Sequence, residues 1–161
     1  MAMRLTLLKL RVLDLWMYHG RKDPPVFREE MKRGAELYRV VQESGAVRIV
    51  DIRTKPSFVE AFLAGALPFD GRLITVLTDG ANVEAGDYVP FPLRKRCGVR
   101  LGLAGDALSD VPDGSADMVV LEGSVETWYD EAWRVLRPGG VVSIDGRTWT
   151  VQTKAERSGI R

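Results

Sequence analysis

The stretch DMVVLEGSVETWYDEAWRVLRPGGVVSI, residues 117–144, decides how the rest of the chain is read. Met118–Leu121 is a short apolar run, too brief for a buried helix, and Val141–Ile144 is another. Between them Val125, Tyr129, Trp133 and Leu136 recur at helical spacing, and Pro138-Gly139-Gly140 breaks the pattern. Strand, helix and strand in that order form a βαβ unit, whose parallel strands are joined by a right-handed crossover.

Moving outward toward the N-terminus, the same rhythm repeats. Val47–Ile52 reads as a first strand, and Pro56 opens a helix with Phe58, Val59, Phe62 and Leu63 on its buried side. Asp70-Gly71 turns the chain into a second strand, Leu73–Thr78. Residues 79–98 read mostly as loop, and Val99–Leu103 is a third strand. Upstream, Asp23-Pro24-Pro25 starts a helix in which Phe27, Met31, Ala35, Tyr38 and Val41 share one face. Glu29, Lys32, Arg33, Glu36 and Arg39 lie largely on the other face, and Ser44-Gly45 ends the helix. In residues 1–22, Leu5, Leu8, Val12 and Leu15 follow helical spacing.

The sum is one α/β domain over residues 1–161: an apolar segment (1–22), a helix (23–44), a βαβ core (46–145) and a short tail (146–161). The core is a doubly wound, mostly parallel sheet of about five strands, whose ligand site lies beyond the carboxyl ends of the strands.

Composition narrows the function classes. With 161 residues, 45% hydrophobic and 28% charged, the chain belongs with single globular domains rather than disordered or fibrous ones. A lone cysteine, Cys97, makes no intrachain disulfide and offers no second thiol for a zinc site, so no metal centre is expected. Lys and Arg number 23 against 22 Asp and Glu, so no bulk attraction to nucleic acid or anionic lipid follows. Charges at Arg4, Lys9, Arg11 and Asp14 interrupt the apolar N-terminal segment and spoil a signal sequence or membrane span; a cytoplasmic protein is expected. A single Asn, Asn82, two Gln and arginine in excess of lysine fit a thermophile or a GC-rich genome equally well.

Residues 105–144, GDALSDVPDGSADMVVLEGSVETWYDEAWRVLRPGGVVSI, resemble the second half of the class I S-adenosylmethionine-dependent methyltransferases, particularly the type 11, ubiquinone-biosynthesis-like branch. The stretches VDIRTKPSF (50–58) and GRLITVLTD (71–79) extend the resemblance toward the N-terminus. It implies a Rossmann-like fold, S-adenosylmethionine as cofactor and methyl transfer to an acceptor that the sequence does not name, with no identifiable catalytic base. It also implies site residues. Asp51, Pro56 and Phe58 match the family's loop after its first strand, while Arg53, Lys55 and Ser57 stand where that loop has glycines. Asp79 falls near the position of the ribose-binding acid, Asp106 of Asp106-Ala107 at the adenine contact, and Glu122 beside the methyl-donor pocket.

Each of these residues also has a plainer reading. Asp51 serves equally as a strand-end acid, Arg53 and Lys55 as a solvated basic turn or an anion site, Asp79 and Asp106 as turn residues, and Glu122 with Glu126 as acids near a helix start. His19, Ser115 and Cys97 lack any partner arrangement that would make them catalytic. Non-glycine residues forced into left-handed backbone in the loop would cost about 1–2 kcal/mol each. Hence a second functional reading stands beside the enzyme: a catalytically inactive pseudo-methyltransferase acting as an interaction or regulatory subunit. A third, a nucleic-acid module using Arg53, Lys55 and Arg94-Lys95-Arg96, is disfavoured by the near-zero net charge.

The resembled family completes its sheet with a further helix and an antiparallel pair. After Asp145 only one short strand, near Thr148–Gln152, is expected here, which leaves the fifth strand at or near an edge. That edge calls for cover from the N-terminal segment, a second copy of the chain or another protein, and self-association is the expectation.

Overall fold

A computed structural model describes residues 24–55, 57–78, 95–101, 106–152, 156 and 159. The expected N-terminal helix, the loop over 79–94, Asp79, Pro56 and His19 lie outside the described residues.

Six strands form one sheet in the order β3-β2-β1-β4-β5-β6. They are β1 (Arg48–Arg53), β2 (Arg72–Leu77), β3 (Cys97–Leu101), β4 (Ala116–Glu122), β5 (Leu136–Ile144) and β6 (Arg147–Val151). The first five run parallel, and β6 returns antiparallel along β5 with Val142 opposite Trp149. The α/β, mostly parallel architecture read from the sequence is the one observed. The tail supplies a sixth strand, so β6 rather than β5 is the outer strand on that side.

Strand alternation divides the core in two. Ile49, Leu73, Met118 and Val120 face helices α1 (Pro24–Ser44) and α2 (Val59–Ala66), packing on Leu37, Tyr38, Val41, Phe62 and Leu63. Val50, Ile52, Val76, Val119 and Leu121 face the other way, toward Leu108, Trp128, Ala132 and Val135. The second layer is carried by a 3-10 turn, Glu126–Trp128, running into helix α3 (Tyr129–Val135).

Three local expectations are corrected. Ala35 is exposed, and Gly34 and Leu37 are buried in its place. The α1 face is rotated because Gly34, which has no side chain, lets the Phe62 ring lie against the helix backbone. In the 3-10 turn and α3 the buried positions are Trp128, Ala132 and Val135, with Tyr129 and Trp133 only partly covered. Pro138-Gly139-Gly140 does not precede β5 but lies within it: Ala116 pairs with Leu136 and Met118 with Val141, and the extra residues bulge out at Gly139, whose φ is +75°. Helix α1 ends as expected, with Gly45 left-handed at φ +65° and the Ala46 N–H donating to the Val41 carbonyl at 3.3 Å.

Candidate functional site

The sheet order reverses between β1 and β4, and a doubly wound sheet opens its ligand crevice there. Period-two alternation aims Asp51 and Arg53 at the same face, under α1 and α2. The parallel register sets Asp51 beside Thr75 on β2, and Arg53 beside Glu122 on β4. Glu60 reaches in from α2 and Arg33 from α1.

These side chains form one ion-pair lattice. Arg53 donates from Nε to Asp51 Oδ2 at 2.8 Å and from Nη2 to Asp51 Oδ1 at 2.7 Å, a two-pronged grip on one carboxylate. Its Nη1 donates to Glu122 Oε2 at 3.3 Å, and its Nε lies 3.8 Å from Glu60 Oε1. The Thr75 hydroxyl donates to Asp51 Oδ2 at 3.4 Å. Arg33 Nε stands 2.5 Å from Glu122 Oε1, so the two oxygens of Glu122 serve two different arginines. Asp51 is 0% exposed and Arg53 1%.

Electrostatics follow from that burial. Desolvation alone would lower the Arg53 pKa, but Asp51, Glu122 and Glu60 outweigh it and hold the guanidinium above the ordinary arginine value. Burial pushes the Glu60 carboxyl up to about 8, with Arg53 opposing and Asp51 reinforcing the rise. Burial likewise raises Glu122 against the pull of Arg53 and Arg33. At neutral pH the raised Glu60 carboxyl is held largely in its protonated form.

The described residues of the loop after β1 turn without left-handed backbone. Among the described residues Asp145 is the one non-glycine at positive φ, so Arg53, Lys55 and Ser57 store none of the strain expected of glycine replacements. The chain takes another path instead. Arg53 folds back over β1, Lys55 points to solvent, and buried Ser57 accepts the Val59 N–H at 3.2 Å, starting α2. Thr54 lies over Gly123, whose φ is +83°, and a β-carbon at Gly123 would come within 2.6 Å of the Thr54 hydroxyl. Gly123 in turn donates its N–H to Asp145 Oδ1 at 3.1 Å, linking the ends of β4 and β5.

Above this lattice is a cavity of about 750 Å³. Its described wall carries acidic Glu29, Glu30, Glu36, Glu122 and Asp145 and basic Lys32, Arg33, Arg53, Lys55 and Arg147, with Val59 the sole aliphatic side chain. The ionisable side chains of this wall balance, five acidic against five basic.

Of the residues proposed from the sequence, Asp51, Arg53 and Glu122 are in direct contact, and Lys55 and Ser57 line the cavity. Asp106 and Ala107 do not line it: Asp106 is exposed in a turn, and Ala107 is buried on the opposite face of the sheet. Sequence reading missed Arg33, Glu60, Thr54 and Asp145. Glu60 carried a signal, being the single charged residue in the apolar run VEAFLAGA. Arg33 carried none, since it sits among the other charges of the polar face of α1. Among the described residues no group of acidic, His or Cys side chains is arranged to hold a metal ion, and no helix is long and apolar enough to cross a membrane.

No family model matches the sequence. Solved structures do match the fold. An O-methyltransferase from Streptomyces achromogenes, TomG of tomaymycin synthesis, determined with S-adenosylmethionine, aligns at TM-score 0.57 and 24% identity over 70% of this chain and 54% of its own. An O-methyltransferase from Bacillus cereus with bound S-adenosylhomocysteine aligns at TM-score 0.55 and 22% identity over 88% of this chain and 64% of its own. The chain thus spans between about half and just under two thirds of these two proteins and shares their Rossmann-like sheet.

Proposed function

We propose that this chain is a methyltransferase-like domain that does not hold S-adenosylmethionine and acts as a pseudo-methyltransferase, an interaction or regulatory subunit. One observation carries the reading: at the end of β1, where the resembled family brings glycine backbone against its cofactor, Arg53 lies buried and both oxygens of Asp51 are engaged by it. The residues present do not fit the cofactor as that family holds it. The β1 acid is spent on an internal partner, and side chains replace the loop glycines. The subunit's partner is a second copy of the chain or another protein seated on the outer strand β6, where Arg147, Thr148 and Thr150 are exposed and Trp149 is half-buried.

The size of the cavity favours a second reading, a working S-adenosylmethionine-dependent methyltransferase of unknown acceptor. At about 750 Å³ the space is large enough for a nucleoside-sized ligand, with Arg33 or Lys55 to meet a carboxylate. Titration calorimetry of the protein with S-adenosylmethionine and S-adenosylhomocysteine separates the two. Absence of heat at millimolar ligand agrees with the pseudo-enzyme. Saturable binding that is lost in Asp51→Asn establishes the enzyme reading instead.

A further inference from the structure

At the other ends of the strands from the cleft, two arginines stand side by side. Period-two alternation puts Arg48 of β1 and Arg72 of β2 on the face opposite α1 and α2, one step before Val50 and Ile74, and the parallel register makes them neighbours. Adjacent strands lie about 4.8 Å apart, so two exposed guanidiniums share one space, with no ion pair to either among the described residues. The acids nearby are committed elsewhere. Asp117 accepts the Val47 and Arg48 backbone N–H groups at 2.9 and 2.8 Å and pairs with Arg137 at 2.6 Å, and Asp110 is forked onto Arg100. Arg48 and Arg72 border a second cavity, of about 210 Å³, lined by the apolar side chains of Val50, Ile74, Val111, Pro112 and Ala116. We propose that this cavity binds a small organic acid, an oxyanion head on an apolar body, with Arg48 and Arg72 holding the head.

Charge fixes the head. Arg100 and Asp110 cancel, which leaves the charges of Arg48 and Arg72 unbalanced on the described wall. Arg72 Nη1 donates to the Asp70 and Gly71 carbonyls at 3.2 and 2.9 Å, which orients the guanidinium without neutralising it and leaves Nε and Nη2 for a ligand. Like charges side by side repel, and an oxyanion between them replaces that repulsion with charge-assisted hydrogen bonds from both arginines. Lining and size fix the body. Ile74 is only half-buried where Leu73, Thr75 and Val76 beside it are buried, so apolar surface faces the cavity. An apolar cavity of about 150 Å³ is enough to hold benzene, and about 210 Å³ takes one ring with its head group. The site shares no lining residue with the Arg53 cleft, so it stands whether or not that cleft holds S-adenosylmethionine.

The test is urea unfolding of the full chain at constant ionic strength. Benzoate and phenyl phosphate serve as ligands, benzamide as a body without charge, and acetate and inorganic phosphate as heads without a body. At about 10 mM, benzoate or phenyl phosphate is expected to raise the folding equilibrium about tenfold, and each of the three controls less than about twofold. Arg48→Gln combined with Arg72→Gln, both at exposed positions, is expected to bring the two ligands down to the level of the controls. Amide chemical shifts of the wild type place the ligand without any variant, and decide the matter if the double variant does not fold. Changes at Ile74 and Ser115, with none at Thr54 or Gly123 of the cleft, support the site. No stabilisation by either acid, equal effects of the controls, an undiminished response in the folded double variant, or shifts at Thr54 and Gly123 instead would each overturn the proposal.

Discussion

Arg53 is the residue on which the site turns, and its cost explains its geometry. A guanidinium removed from water loses several kcal/mol of hydration, which only good hydrogen bonds and opposite charge offset. Arg53 has both, two short bonds to Asp51 and a third to Glu122. Glu60, whose buried Oε1 has no hydrogen-bond partner and lies 3.8 Å from Arg53 Nε, makes the protein sensitive to pH. Its folded-state pKa is raised from 4.5 to about 8, so the folded chain binds more protons than the unfolded one between those values, and stability falls as pH rises through that window. Each pH unit of displacement is worth about 1.4 kcal/mol. Glu60→Gln, which keeps the neutral form at all pH, is expected to flatten the loss; urea unfolding at pH 5 and pH 8.5 should show a smaller drop in the variant than in the wild type. At this scale the sequence was half legible. Asp51, Arg53 and Glu122 were marked by their place in motifs, whereas Arg33 and Glu60 join them only through the packing of α1 and α2, which no local pattern encodes.

Helices α1 and α2 bring those side chains in, and Gly34 governs how closely they approach. A β-carbon at Gly34 would overlap the ring of Phe62, which is itself buried in the core. Alanine normally gains about 1 kcal/mol over glycine inside a helix. Here the overlap outweighs that gain, because overpacking a filled core costs about 1–3 kcal/mol. Gly34→Ala is therefore expected to lower the denaturation midpoint with an unchanged denaturant slope, and also to weaken the Arg33 contact to Glu122 by lifting α1. Helix positions were legible from apolar spacing, but their rotation was not: Gly34 has no side chain to register in a hydrophobic pattern, and it sets which face α1 buries. The bulge in β5 escaped for a related reason. Pro138-Gly139-Gly140 is a breaker by composition, yet β4 offers it a pairing partner on either side.

Across the whole molecule, the parallel sheet was readable because β1, β2, β4 and β5 are short, largely apolar and largely buried runs. The sixth strand was harder, since RTWTV alternates polar and apolar residues as an outer strand does. Among the described residues no further strand pairs with its outer edge, and on the proposal that this edge serves self-association, light scattering over a concentration series is expected to show a mass above that of one chain; a monomer at every concentration contradicts that. The central claim, that Arg53 occupies the end of β1 and engages its acid from within, is tested most directly by a crystal soaked with S-adenosylhomocysteine. That arrangement predicts Arg53 still forked onto Asp51, with no nucleoside above β1. Density for the nucleoside seated there, with Arg53 displaced from Asp51, would contradict it.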